Sequence, residues 1–185
     1  MLEAFLTSTL LVAIAEIGDK TQLLSFALTA RLQRPRAIIA GIFVATLFNH
    51  ALAGAAGAWV ARTLSPDSMR LITALAFAAF GLWALKPDTL DDEIPTENRG
   101  AFITTVIAFF IAEMGDKTQF ATIALGARYD AYVSVVVVGT TLGMMIANVP
   151  AVLLGQKLAN KVPTAVMRRI AATLFLATAV WTFFG

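Results

Sequence analysis

Two near-identical stretches, "AEIGDKTQ" from Ala15 and "AEMGDKTQ" from Ala112, each set two carboxylates and an ammonium inside an apolar run. Their offset of 97 residues divides the chain into two copies. After a one-residue slip the copies stay in step at an offset of 98, which pairs Gly41 with Gly139, Gly57 with Gly155 and His50 with Asn148. The third segments agree best: "MRLITALAFAAFGLW" from Met69 aligns with "MRRIAATLFLATAVW" from Met167, and Trp83 falls on Trp181. A duplicated chain needs one architecture that serves both copies, and this restricts the fold more than any other feature.

Each copy carries three apolar runs, at roughly 4–29, 37–61 and 69–85, then 101–126, 131–156 and 165–184. Of the 185 residues, 58% are hydrophobic and only 14% charged, where a soluble domain has about 25% charged. The mean hydropathy is +0.78. Runs of about 20 apolar residues match the hydrocarbon thickness of a bilayer, and backbone hydrogen bonding in lipid requires them to be helices. The expected fold is therefore an all-α membrane protein with six transmembrane helices. Residues 1–85 form the first three-helix repeat, 86–100 a polar linker and 101–185 the second repeat. Three is an odd number, so the second copy enters the membrane from the opposite side. Such inverted-topology repeats are common among secondary transporters, with the site near the midplane between them.

Orientation follows from the basic residues. With Lys20 and Lys117 set aside, one face collects Arg31, Arg34, Arg36, Lys86, Arg99, Lys157, Lys161, Arg168 and Arg169, and the other only Arg62, Arg70 and Arg128. The positive-inside rule places the first face in the cytoplasm, so both termini are expected outside and the 86–100 linker inside. The N-terminus is not expected to be a secretory signal, since it lacks a basic start and Glu16 interrupts its apolar stretch. The absence of cysteine excludes disulfides and thiolate metal sites. A net charge of +2, with its basic residues at segment ends, excludes nucleic acid as a partner. Membrane lipid and a transported solute are the expected partners, and a homo-oligomer is left open.

Read as continuous helices, the motifs turn Glu16 and Asp19, and likewise Glu113 and Asp116, to one face at i, i+3. Gln22 and Gln119 continue that face, Thr21 and Thr118 lie beside it, and Gly18 is expected to let another backbone approach closely. Inversion brings both copies to the centre. The candidate metal ligands are Glu16, Asp19, Glu113 and Asp116, with Gln22, Gln119, Thr21, Thr118, His50 and Asn148 as secondary candidates. Lys20 and Lys117 balance charge. A charge at mid-membrane costs from about 2.5 to over 10 kcal/mol. A purely structural pairing of Glu16 with Lys20 and Glu113 with Lys117 at i, i+4 accounts for two acids and leaves two. The remainder of −2 is what one divalent cation or two protons would neutralise.

Oxygen ligands suit Ca²⁺, Mn²⁺ and Mg²⁺, whereas Zn²⁺ or Cu⁺ would favour Cys, Met or several His. Carboxylates that release a metal in a low-dielectric cavity tend to take up protons, so metal and protons compete for one site. A cation/proton antiporter uses that competition. An acidic-ring cation channel and a small-solute exporter whose Lys20 and Lys117 grip an anion are the alternatives. No Ser/His or Cys/His pair supports a hydrolase, and no enzyme is expected. His50, the single histidine, is an interhelical hydrogen-bonder, a proton relay or one nitrogen ligand, a role Mn²⁺ accepts better than Ca²⁺.

The doubled Glu-x-Gly-Asp-Lys/Arg-Thr/Ser motif, met at every defined position by Glu16 to Thr21 and by Glu113 to Thr118, resembles that of the Gdt/MneA family of small cation/proton antiporters. Its members include Golgi and chloroplast Mn²⁺/Ca²⁺ transporters and bacterial Mn²⁺ exporters. The resemblance covers essentially the whole chain. It implies cation ligands at Glu16, Asp19, Glu113 and Asp116, Mn²⁺ or else Ca²⁺ as transported substrate, H⁺ as counter-ion and no cofactor. The chain lacks the N-terminal extension and long central loop of eukaryotic relatives, so it resembles a bacterial member in the cytoplasmic (inner) membrane.

Overall fold

The structure, a computed structural model, describes residues 1–87, 100–154 and 164–184. Most of the linker expected at 86–100 lies outside the described residues, as do Gly155, Lys157 and Lys161. The described chain is helical, without strands: α1 (Leu2–Glu16), α2 (Lys20–Leu32), α3 (Pro35–Ala61), α4 (Pro66–Ala84), α5 (Gly100–Glu113), α6 (Lys117–Arg128), a 3₁₀ turn at Asp130–Tyr132, α7 (Val133–Leu154) and α8 (Thr164–Phe184). Pro35 and Pro66 open α3 and α4, at a position where the missing N–H would have had no helical partner. The α3, α4 and α8 helices, and α7 with its preceding turn, are long and apolar enough to cross a membrane; α5 is apolar but shorter. Large apolar side chains such as Phe48, Leu52, Leu82, Leu153 and Trp181 are exposed, as on helices that are apolar all round and meet lipid.

The runs expected as single helices at 4–29 and 101–126 are each broken inside the motif. The α1 helix stops at Glu16 and α2 begins at Lys20; α5 stops at Glu113 and α6 begins at Lys117. Gly18 and Gly115 occupy the breaks with φ of +86° and +73°. A Cβ destabilises this left-handed region, which glycine enters without penalty. The motif glycines therefore turn the chain, and Glu16 and Asp19 do not share a helix face as expected. No heavy atom lies within 4 Å of a Cβ built on Gly115, so Gly115→Ala isolates backbone strain. It should lower stability by about 1–2 kcal/mol, and Gly115→Asn by less, because asparagine tolerates this region. Thermal unfolding of the three proteins in one detergent checks this, and a Gly115→Ala melting point equal to that of the parent would contradict it.

Repeat-related positions make the same contacts. The α3 helix lies against α5 and α7 against α1. Gly41 meets the Phe102 carbonyl and Thr105, while Gly139 meets the Phe5 carbonyl and Ser8. Cβ atoms there would fall 2.9 and 3.0 Å from those carbonyl oxygens, so these crossings need small residues. Phe77 and Phe175, equivalent in the two copies, stack at 6.5 Å between α4 and α8. The likeness does not extend to every pair: among the described residues α3 packs on α6 more extensively than α7 on α2. The α4 helix also covers α6 and α8 covers α1, but among the described residues no comparable contact joins α8 to α2 or α4 to α5. Thr164, at the head of α8, sits on the Gly18 turn, whereas the Gly115 turn is open.

Candidate cation site

The two breaks bring four helix ends together. Asp19 and Asp116 are the N-caps of α2 and α6, where a carboxylate meets the positive end of the helix dipole. Asp116 accepts from the Thr118 N–H at 3.4 Å. Gln22 and Gln119 brace the turns: their Oε1 atoms accept from the N–H groups of Gly18 and Gly115 at 2.9 and 2.8 Å. Their Nε2 groups donate to the Ala147 carbonyl at 3.1 Å and to Asn49 Oδ1 at 2.9 Å. Both glutamine oxygens thus already serve the turns. An Asp followed three residues later by Gln resembles the capping-box signature of a helix start, and that signal marks the breaks in the sequence.

Glu16, Asp19 and Asp116, all buried, each offer an oxygen within 4.8 Å of the others. The lysines cross between copies. Lys117 Nζ lies 2.5 Å from Asp19 Oδ1, and Lys20 Nζ lies 3.3 Å from Asp116 Oδ1. Each break puts the glutamate at one helix's end and the lysine at another's start, so the i, i+4 helix geometry expected for Glu16–Lys20 and Glu113–Lys117 is lost. Glu16 accepts from the hydroxyls of Thr21 and Thr118, the latter at 2.5 Å. Access is unequal: the Lys20 side chain is 24% exposed and that of Lys117 only 3%.

Glu113 stands outside this triad, though close enough to feel the charges of Glu16, Asp116 and Asp19. It is fully buried, and neither carboxylate oxygen has a hydrogen-bond partner. Its Oε2 lies 4.0 Å from Nε2 of His50, which is equally buried and unpartnered at both ring nitrogens. Asn148, the repeat counterpart of His50, is fully engaged instead. Its Oδ1 accepts from Ser25 at 2.7 Å and its Nδ2 donates to the Met144 carbonyl at 3.1 Å. The structure thus gathers Glu16, Asp19, Asp116, both lysines and both threonines, sets Glu113 with His50, and holds Asn148 in its own network. Asn49, which accepts from Gln119, is not among the candidates that the motifs supply, although an amide beside a histidine at mid-span is a signal for it.

The chain matches a family model described as "Divalent cation/proton antiporter GDT1" over residues 4–92 and 101–185, one segment for each copy. A Vibrio cholerae protein named "Putative manganese exporter" is 53% identical over 173 residues, covering 94% of this chain and 86% of that protein. A GDT1-like protein of Synechocystis sp. is 28% identical and covers 98% of each chain. GDT1-like protein 4 of Oryza sativa is 26% identical across all of this chain and 74% of its own length. No solved structure matches. With the motif complete in both copies and the match spanning nearly every residue, the chain belongs to the GDT1 family of divalent cation/proton antiporters, a family of transporters and not of enzymes.

Proposed function

We propose that the protein exports a divalent cation, Mn²⁺ in preference to Ca²⁺, in exchange for protons across a bacterial cytoplasmic membrane. The observation that carries this reading is the buried triad of Glu16, Asp19 and Asp116, held at two helix breaks by lysines crossed between the copies. Counting Glu113, four carboxylates face two ammoniums, and the excess suits one M²⁺ or two protons. The α1 and α5 helices end inside the motif, so the negative ends of two helix dipoles lie at the breaks, as in transporters with discontinuous helices. Six spans follow if α1–α2 and α5–α6 each cross as one interrupted unit. The recurring contacts of Gly41 and Gly139, and the Phe77–Phe175 stack, support an inverted repeat.

An arriving cation competes with Lys20 for Asp116, and Lys20 is the partner free to swing toward solvent. On release, protons take the cation's place on the carboxylates. Access alternates when the α4–α8 pair leaves α1 and α6 for α2 and α5. Tyr129 donates to Glu3 at 2.8 Å and Arg128 lies 3.8 Å from it, tying the start of α1 to the end of α6.

Proteoliposomes offered Mn²⁺, Ca²⁺ and Mg²⁺ in parallel under a set pH gradient test the reading. Mn²⁺ flux should be accompanied by opposite proton flux and should reverse with the gradient. Its apparent affinity should weaken as the pH on the cation's side falls, because protons compete. Downhill cation flow without proton movement would instead identify a channel, and no cation flux at all would favour the solute exporter. In cells, a reporter fused after Gly185 should read outside, as the nine-to-three split of basic residues predicts. A cytoplasmic reading would invert the orientation.

A further inference from the structure

Among the described residues, the two copies treat their glutamates differently. Glu16 is satisfied by two hydroxyls. Glu113 receives none, and beside it His50 presents two ring nitrogens with no partner, both residues being fully buried. Asn49 Nδ2, one residue from His50, is also buried without a partner. Buried polar groups in native proteins are almost always hydrogen-bonded, and a group left unsatisfied calls for a reason such as function or an ion. Glu113 Oε2 and His50 Nε2 are 4.0 Å apart, too far for a hydrogen bond. A cation about 2.0–2.5 Å from each spans that gap.

The geometry points to a second arm of the cation site, a mixed carboxylate–imidazole pair of Glu113 and His50 that selects a transition-metal dication such as Mn²⁺ over Ca²⁺ and Mg²⁺. This rests on the antiporter reading above and adds the source of its ion preference. The Glu16, Asp19 and Asp116 triad offers only carboxylate oxygens, a donor set that Ca²⁺, Mg²⁺ and Mn²⁺ all accept. Imidazole nitrogen is the donor that separates them, since Mn²⁺, a transition metal at the oxygen-preferring end of its series, still accepts a nitrogen beside its carboxylates, whereas the hard cations Ca²⁺ and Mg²⁺ gain little from one. The repeat itself supplies the control. Position 148, equivalent to His50, carries an asparagine, whose oxygen is a hard donor and whose amide is already bonded to Ser25 and Met144. One copy thus holds a structural amide where the other holds an unsatisfied imidazole.

Two measurements on the whole purified chain test the proposal. Pulsed electron paramagnetic resonance of bound Mn²⁺ should detect nitrogen modulation from a coordinated imidazole in the unaltered protein. That spectrum needs no variant, so it stands even if a substitution at position 50 fails to fold. Equilibrium binding of Mn²⁺ and Ca²⁺ to His50→Asn should show the ratio of Mn²⁺ to Ca²⁺ affinity falling by about tenfold or more, the scale on which losing a metal-site partner acts. Bound Mn²⁺ without nitrogen modulation, or an unchanged ratio in a folded His50→Asn, overturns the selective arm while leaving the antiporter intact. If the unaltered protein binds neither ion, the antiporter reading and this inference fall together.

Discussion

Asp19→Asn and Asp116→Asn should each abolish Mn²⁺/H⁺ exchange, with a loss of cation affinity on the order of 3–5 kcal/mol, the scale of breaking a buried charge pair. The substitutions keep size and hydrogen bonding but remove a charge, and each aspartate has two tasks. It offers an oxygen to the triad and it faces a lysine of the other copy. The tasks separate in double variants. Asp19→Asn leaves the buried Lys117 ammonium opposite a neutral amide, so the single variant should also melt at lower temperature. Adding Lys117→Met removes that charge and should restore the melting point without restoring exchange. If the double variant exchanged Mn²⁺ at the parent rate, Asp19 would be only a partner for Lys117 and not a ligand. The Lys20–Asp116 pair is longer and more exposed, so Asp116→Asn should cost less stability than Asp19→Asn for a similar loss of exchange. Lys20→Met alone should tighten cation binding and slow release, because it makes the site more negative.

That experiment depends on an arrangement only partly legible in the sequence. The duplicated motif exposed the two copies and the residues that carry charge, because charges inside apolar runs are costly enough to be conspicuous. Hydropathy could not show the helix breaks, since an interrupted span is as apolar as an intact one. The clues were local: glycine followed by Asp-x-x-Gln at Gly18 to Gln22 and at Gly115 to Gln119. On one continuous helix the motif carboxylates share a face at i, i+3. A purely structural alternative pairs each glutamate with its own copy's lysine at i, i+4, whereas the structure crosses the lysines between copies. The meeting of His50 with Glu113 depends on how α3 lies against α5, and no spacing encodes that. The unequal coverage by α4 and α8 is invisible for a different reason. On the proposed alternating-access reading, two similar copies specify two equivalent conformations, and a sequence does not say which of them a structure will adopt.

Cross-linking α4 to α6 should stop exchange reversibly, and this is the sharpest test of how access alternates. Trp83 on α4 and Phe120 on α6 place their rings 6.2 Å apart, on the contact that has no repeat-related counterpart among the described residues. The natural chain has no cysteine, so Trp83→Cys with Phe120→Cys gives a single reactive pair, which a short bis-methanethiosulfonate reagent can bridge. If the α4–α8 pair must leave α1 and α6 to open the other side, the bridged protein is held in one state. A ligand can shift such an equilibrium only by its differential affinity for the two states, and a covalent bridge exceeds any such difference. Exchange should fall to background and return on reduction, while Mn²⁺ binding persists from the accessible side. A second bridge supplies the control. Gly81 on α4 and Leu176 on α8 are in direct contact, with a Cβ at Gly81 lying 2.9 Å from the leucine Cγ. Gly81→Cys with Leu176→Cys therefore joins the two helices that the proposed mechanism moves together, and exchange should continue. Parent-rate exchange by the fully bridged α4–α6 protein would show that these helices do not part during transport and that the gate lies elsewhere.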